Sequence, residues 1–417
     1  MFLQYAVPGA LVPLFSLRLK ELGFTPLEMA WACATGSLAG LVGPLVVGQL
    51  ADRWFPAERC LAVCAFVGGM LLWLLAGLTG PAAVFWTSLA FWLVMVPATT
   101  LTVGLCFAHL PSPLRDYAPV RFWGTVGWVT PGWLLGCWFA NPDWLGPCTV
   151  WLRPDGPPTE LADIFRLAGL LSFALGGYAL TLPHTPPQRL AGAWLAPLGA
   201  LRLLRHRAFA IYCASALILC VTIPFTTQAV PLLLEDLGVP RPWLSPTLTL
   251  SQSMELASLA VLPVLLLRLG VRGTMLLGLF AWAAELAVLT AGRPLGLVVA
   301  SLALNGLCIC CFLVAGQVFI NGRARGDIRV SSQGLLAFVN ALGMLLGNLL
   351  VGWVRKQVNG EFSRTFAVAA AVATVLAVGF FVYFNPEEPV RSEEAEDAAE
   401  QGLEASGVAG ERGPSAP

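Results

Sequence analysis

Apolar runs of about 20 residues recur along almost the whole of this 417-residue chain, and that recurrence constrains the fold more than any other feature. At 1.5 Å of rise per residue, one such run wound as a helix crosses the ~30 Å hydrocarbon layer of a bilayer. Within lipid every backbone N–H and C=O needs an internal partner, so only helices and closed barrels span it. Barrel strands alternate apolar and polar residues, whereas these runs are continuous. Only 12% of the residues are charged and 57% are hydrophobic; a soluble domain carries about twice that charge. The chain therefore reads as all-α and polytopic. Its opening, "MFLQYAVPGALVPLFSLRL", lacks a basic leader and a small-residue cleavage site, and reads as the first span rather than as a signal peptide.

Charge, proline and glycine punctuate the chain into twelve candidate transmembrane helices, at roughly 2–19, 27–50, 60–79, 82–108, 119–140, 161–182, 208–233, 244–268, 274–291, 294–320, 333–354 and 365–384. Alternate loops hold most of the 24 basic residues, among them Arg53, Arg59, Arg115, Arg189, Arg202, Arg205, Arg268, Arg272 and Arg325. The positive-inside bias then puts both termini in the cytoplasm of a multi-pass protein of the cell's inner (plasma) membrane. The turn with Arg355, Lys356 and Arg364 runs against this bias. The longest connection divides the spans into two six-helix halves, 1–183 and 208–384, with a cytoplasmic linker at 184–207. The halves echo each other: a short basic turn follows span two ("GQLADRWFPAERCL") and span eight ("LLLRLGVRGTMLL"). Parallel six-span repeats are the build of major facilitator transporters. Residues 385–417 form an acidic tail rich in Gly, Ala and Pro, which cannot bury a core and is expected to be disordered.

Several function classes fall away on composition. The formal net charge is zero, so nothing points to nucleic acid. The 11 cysteines lie mostly inside apolar runs, where they act as small hydrophobes rather than as a disulfide framework. Cys308, Cys310 and Cys311 are close in sequence but lack a neighbouring His or carboxylate, and no metal or other cofactor is expected. His109, His184 and His206 sit at loop edges and form no constellation with a nucleophile, so the chain is not read as an enzyme.

Polar residues inside the spans carry the functional signal. Asp52 and Arg53, in "GQLADRW", sit where span two emerges, and match the G-x-x-x-D-R turn of major facilitator proteins. An interfacial ion pair that holds one conformational state is the role expected of them. In span five, Arg121, Thr125 and Trp128 fall at i, i+4 and i+7, on one helix face; Gly124 and Gly127 flank it and suit close packing. Arg121 reads equally as an arginine snorkelling to the interface. In span eight, Glu255 falls about 15 Å deep, near the midplane where transporter sites lie, and Gln252 shares its face. A carboxylate there costs about 2.5–3.5 kcal/mol on the insertion scale and marks a functional site or a structural bond to a neighbouring helix. Glu285 in span nine has no polar neighbour on its own face. Asn340 and Asn348 read as helix–helix glue.

The stretches "VRFWGTVGW", "TLPHTPP", "LSQSMELASLAVLPVLLLRLGVRGTMLLGLFAW" and "DIRVSSQGLLAFVNALGMLLG", and more weakly "FLQYAVPGALVPL", together resemble the nucleoside:proton symporter family of the major facilitator superfamily, in register from span one to span eleven. The resemblance implies proton-coupled uptake of a nucleoside by alternating access, with Arg121, Thr125, Trp128, Gln252, Glu255 and Asn305 at the substrate and Glu255 coupling the proton. The chain departs from the pattern where Pro224 and Thr227 stand for a Gln and an Asn. It departs again where Asn305, Ile309 and Cys310 stand for a Tyr, a Phe and an acidic residue. A proton-coupled sugar or oligosaccharide carrier of the same fold is the alternative, and a non-transporting membrane sensor a more distant one. The expected partners are a small substrate, the proton and the bilayer, with the chain a monomer.

Overall fold

The computed structural model describes residues 1–54, 56–110, 113–142, 159–185, 204, 207–323 and 329–385; the side chains of 43–54, 113–118, 321–323 and 329–332 fall outside the description. Among the described residues there is no strand. The helices are α1 (Phe2–Glu21), α2 (Pro26–Trp54), α3 (Ala57–Gly77), α4 (Pro81–His109), α5 (Pro113–Ala140), α6 (Asp163–Ala179), α7 (Arg207–Asp236), α8 (Arg241–Ala291), α9 (Leu295–Cys308), α10 (Ala315–Arg323), α11 (Arg329–Gln357) and α12 (Phe362–Tyr383), with a π-helical segment, Ile309–Val314, between α9 and α10. Among the described residues, eight stretches are long and apolar enough to cross a membrane. Large apolar side chains such as Leu267 and Trp86 stand 86% and 66% exposed, the pattern of helices that face lipid rather than water. This is a multi-pass membrane protein.

The elements depart from the expected spans in two informative places. Spans eight and nine run on as the single stretch α8, which breaks at Gly270 with φ 67° and ψ 177°. Only a residue without Cβ adopts that conformation at little cost, and the break falls in the basic turn between Arg268 and Arg272. The tenth span contains the π-helical segment. Its extra residue per turn swings the following side chains round the axis, a device common near functional sites.

Packing brings together helices distant in sequence. α3 packs on α4 and α6, and α1 on α5 and α6; α7 packs on α11 and α12, and α8 on α9 and α12. Contact between the two groups runs through α2 with α11, α5 with α8, and α1 with α7. Polar side chains pin some of these contacts: Asn348 on α11 accepts a hydrogen bond from the Gln228 amide on α7 and donates to Ser37 Oγ on α2 at 3.3 Å. Such bonds matter in lipid because apolar surface alone gives helices no preference for one another over acyl chains. Asn340, by contrast, has a buried Oδ1 without a hydrogen-bond partner.

One end of the bundle is tied by charge. At the C-terminus of α1, Arg18 pairs with Glu21 at 2.7 Å and Lys20 with Glu235 of α7 at 2.7 Å, and Arg241 of α8 reaches Glu21 at 3.4 Å. Two of these three pairs join helices more than 200 residues apart.

Candidate substrate cavity

Five helices surround a cavity of about 110 Å³ inside the bundle. α1 contributes Gly9, Val12 and Pro13, α5 Trp128 and Gly132, and α7 Thr226, Thr227, Val230 and Pro231; α8 adds Ser245, Leu248, Thr249, Ser251, Gln252 and Glu285, and α9 Leu302 and Asn305. Proline explains part of its polarity. Pro13 and Pro231 sit inside α1 and α7 and have no N–H to give to the residue four positions earlier. The carbonyls of Gly9 and Thr227, both on the cavity wall, thereby lose their usual intrahelical donor. Hydroxyls, an amide pair and these carbonyls share the lining with apolar surface and one indole, the mixture typical of a small-molecule site.

The register of α5 against α8 orders the charged groups. The two helices run antiparallel: Gly136 lies against Pro242 and Pro246, and Gly132 against Ser245 and Thr249. Carried onward, that register sets Trp128 level with Gln252 and Thr125 level with Glu255, with Arg121 a turn further. Of the six residues expected at the substrate, Trp128, Gln252 and Asn305 stand in the cavity wall. Arg121, Thr125 and Glu255 lie half-buried beyond it, in the direction away from the charged end described above. The Arg121 guanidinium stacks 4.5 Å from the ring centroid of Tyr5 on α1, a cation–π contact, and is close enough to Glu255 to act on it electrostatically. Gly127 and Gly124 take up the expected close packing, the first against the backbone of Phe2 and the second against Tyr5.

The α8–α9 contact fixes the other side. A Cβ at Gly306 would collide with the Ser251 carbonyl and the Glu255 amide nitrogen, so the two backbones touch at the level of Glu255. One residue earlier, Asn305 Oδ1 accepts a hydrogen bond from Ser251 Oγ at 2.9 Å. Cys310, in the π-helical segment, lies near Glu255. Thr227 reaches the cavity, whereas Pro224 is buried within α7 away from the wall. The side chains of Asp52 and Arg53 lie outside the described residues, as do most of the linker and residues 386–417. No group of three or more His, Cys, Asp or Glu side chains that could hold a metal occurs among the described residues.

Sequence reasoning placed Thr227 of α7 at a contact position, and it missed α1, the rest of the α7 wall, and Ser245 and Thr249. A signal for the last two was present: Ser245, Thr249 and Gln252 stand at i, i+4 and i+7, a polar stripe on one face of an apolar helix.

A family model for nucleoside H+ symporters matches residues 1–389. The chain belongs to the nucleoside:H+ symporter family. Over 93% of each chain, this symporter is 28% identical to the putative nucleoside transporter YegT of Escherichia coli K12. It is 27% identical to the xanthosine permease of the same organism, over 92% of this chain and 94% of that one. The crystal structure of the nucleoside transporter NupG superposes with a TM-score of 0.78 at 24% identity, covering 92% of this chain and 97% of that one. The fold of the symporter is accordingly that of the major facilitator superfamily. Its activity is proton-coupled nucleoside uptake, and it is a transporter rather than an enzyme.

Proposed function

We propose that this symporter works by alternating access of two six-helix halves, 1–183 and 208–384, joined by a cytoplasmic linker at 184–207. On this reading it has twelve spans: α8 counts as two, divided at Gly270, and α9, the π-helical segment and α10 together count as one. Both termini are cytoplasmic and the protein acts as a monomer in the inner membrane, so the charged end of α1, α7 and α8 faces outward. Asp52 and Arg53 hold one conformational state from the opposite face.

The observation that carries the reading is the shared register of α5 and α8, helices from opposite halves. It supports a substrate path that begins in the described cavity, with Trp128, Gln252 and Asn305, and continues past Thr125, Glu255 and Arg121. Trp128 offers a flat apolar face for a base. Gln252, Asn305 and the hydroxyls offer paired donors and acceptors for base edges and ribose. Glu255, poised near Arg121 but not locked to it, is a group whose charge the arriving substrate can alter, which ties proton uptake to binding.

Reconstitution in vesicles with an imposed inward proton gradient, screened against labelled uridine, adenosine, xanthosine and hexoses, tests the function. Nucleoside accumulation that collapses when the gradient is dissipated is the expected result; gradient-driven accumulation of hexoses alone would replace the nucleoside reading. Cysteine accessibility of the 184–207 loop tests the orientation, which fails if that loop labels from outside.

A further inference from the structure

The transport path described so far uses Glu255. The same cavity holds a second carboxylate with no assigned part. Glu285 lines the cavity beside Asn305 and is 0% exposed; its carboxyl oxygens form no well-aligned hydrogen bond, and the Asn305 amide is the side chain close to them. Its helix face is fixed inward, because Trp282, one turn earlier, donates from Nε1 to Thr222 Oγ1 of α7 at 2.8 Å and Leu286 and Leu289 are buried.

The groups around Glu285 determine what it can do. From α9, Asn305 is the polar side chain that acts on it, and the Cys308 thiol is near. Cys220 of α7 and Cys311 of the π-helical segment lie beside Cys308. α12, which also packs on α8, carries only Arg364 and Tyr383 as titratable groups, at its two ends. Among the described residues no cation acts on Glu285. An ionised carboxylate with no counter-ion and a single amide beside it is poorly tolerated inside a membrane protein, so the closed surroundings seen here favour the neutral, protonated carboxyl. Asn305 connects this carboxyl to the substrate wall, since its Oδ1 accepts a hydrogen bond from the Ser251 hydroxyl and its two N–H groups remain to face other acceptors.

We propose that Glu285 is a second proton-carrying group of the transport cycle, gated by the wetting of the cavity beside Asn305. Building on the symport activity, the step is a simple acid dissociation. When the cavity opens to water on the releasing side, the carboxyl O–H bond breaks and the proton passes to water. The carboxylate is then held by the Asn305 amide until it is reprotonated from the opposite side.

The test compares native protein with Glu285→Gln and Asn305→Leu in vesicles and in detergent. Gln keeps the shape of the neutral carboxyl. Glu285→Gln should retain equilibrium exchange of labelled nucleoside and reach a lower gradient-driven accumulation ratio, with fewer protons entering per nucleoside. A carboxyl with a purely structural role would leave both unchanged, because Gln reproduces its neutral form, and that outcome overturns the proposal. Infrared difference spectra between acidic and alkaline buffer give a readout independent of substrate. One component of the protonated-carboxyl band of the native protein should be missing from Glu285→Gln and shifted in Asn305→Leu, while the component from Glu255 and the surface carboxyls remains. A band in Glu285→Gln identical in shape and intensity to the native one overturns the assignment even if one variant transports poorly for reasons of folding. If the band behaves as expected while no nucleoside is carried, the substrate reading fails and the proton site stands.

Discussion

Carboxylates at the charged end of the bundle and carboxylates in its interior live under opposite rules. Glu21 and Glu235 each have a cation in direct contact, at 2.7 Å from Arg18 and from Lys20 respectively. Glu255 has a cation within electrostatic reach but no direct pair, and Glu285 has none. Where water is present an ion pair forms cheaply and contributes about 0–1 kcal/mol. At the midplane a charged group costs about 2.5–3.5 kcal/mol even on the lenient insertion scale. A carboxylate kept there without a locked partner is useful because its charge can change. On the proposed mechanism the surface pairs gate and the interior carboxylates couple, and each substitution below bears on that division.

The largest effect belongs to Glu255. Glu255→Gln preserves shape and much of the hydrogen bonding but cannot titrate, so accumulation against a proton gradient should be abolished. If coupling is its main part, exchange at equilibrium partly survives. If it is chiefly a substrate ligand, exchange falls too, and Gln252→Ala shows a similar defect. Normal accumulation by Glu255→Gln would make the carboxylate structural and leave Glu285 as the coupling group.

Gly306 comes next, because it sets the distance between α8 and α9. Any side chain there meets the Ser251 and Glu255 backbone, and overpacking of this kind costs about 1–3 kcal/mol or more. Gly306→Val should lower the thermal midpoint in detergent and, by parting Ser251 from Asn305, weaken nucleoside binding. Unchanged stability would mean that the α8–α9 contact is not tight and that the placing of both inner carboxylates is loose. Trp128→Ala should weaken nucleoside affinity by about 1–3 kcal/mol, the usual worth of base stacking on an aromatic ring, and Trp128→Phe by less, as read by calorimetric titration. Equal affinity in Trp128→Ala would take the indole out of the substrate path.

The all-helical, multi-pass fold was legible in the sequence because lipid permits so few backbone solutions that the length of the apolar runs nearly determines them. Exceptions arose where a local device was cryptic: the basic turn at Gly270 was marked by its arginines, but the π-helical segment at Ile309–Val314 has no composition of its own. At the site, Gln252 and Trp128 were readable because each lies on a polar stripe of its own helix. Glu285 was undervalued for the converse reason. Every neighbour on its own face is apolar, and the side chain that gives it meaning, Asn305, arrives from the next helix. The wall formed by Gly9, Pro13 and Pro231 was equally hidden, since its polarity is that of backbone carbonyls that proline leaves without donors.

The smallest effect is expected at the charged end of α1, α7 and α8, and it tests the division most cleanly. Lys20 and Arg241 are half exposed, with side chains 50% and 53% accessible, so water and salt screen both of their pairs. Lys20→Ala removes the bridge from α1 to Glu235, and Arg241→Ala the bridge from α8 to Glu21. Each should alter the balance between open and closed outer ends by at most about 1 kcal/mol, seen as a shift of a few-fold in the rate of labelling of an outward-facing cysteine. The shift should shrink as ionic strength rises, while the accumulation ratio and the number of protons per nucleoside stay at native values. If Lys20→Ala instead lowered the accumulation ratio while keeping exchange, as expected of Glu285→Gln, the surface pair would be part of the coupling machinery. The contrast between a weak ionic latch and titrating interior carboxylates would then be wrong.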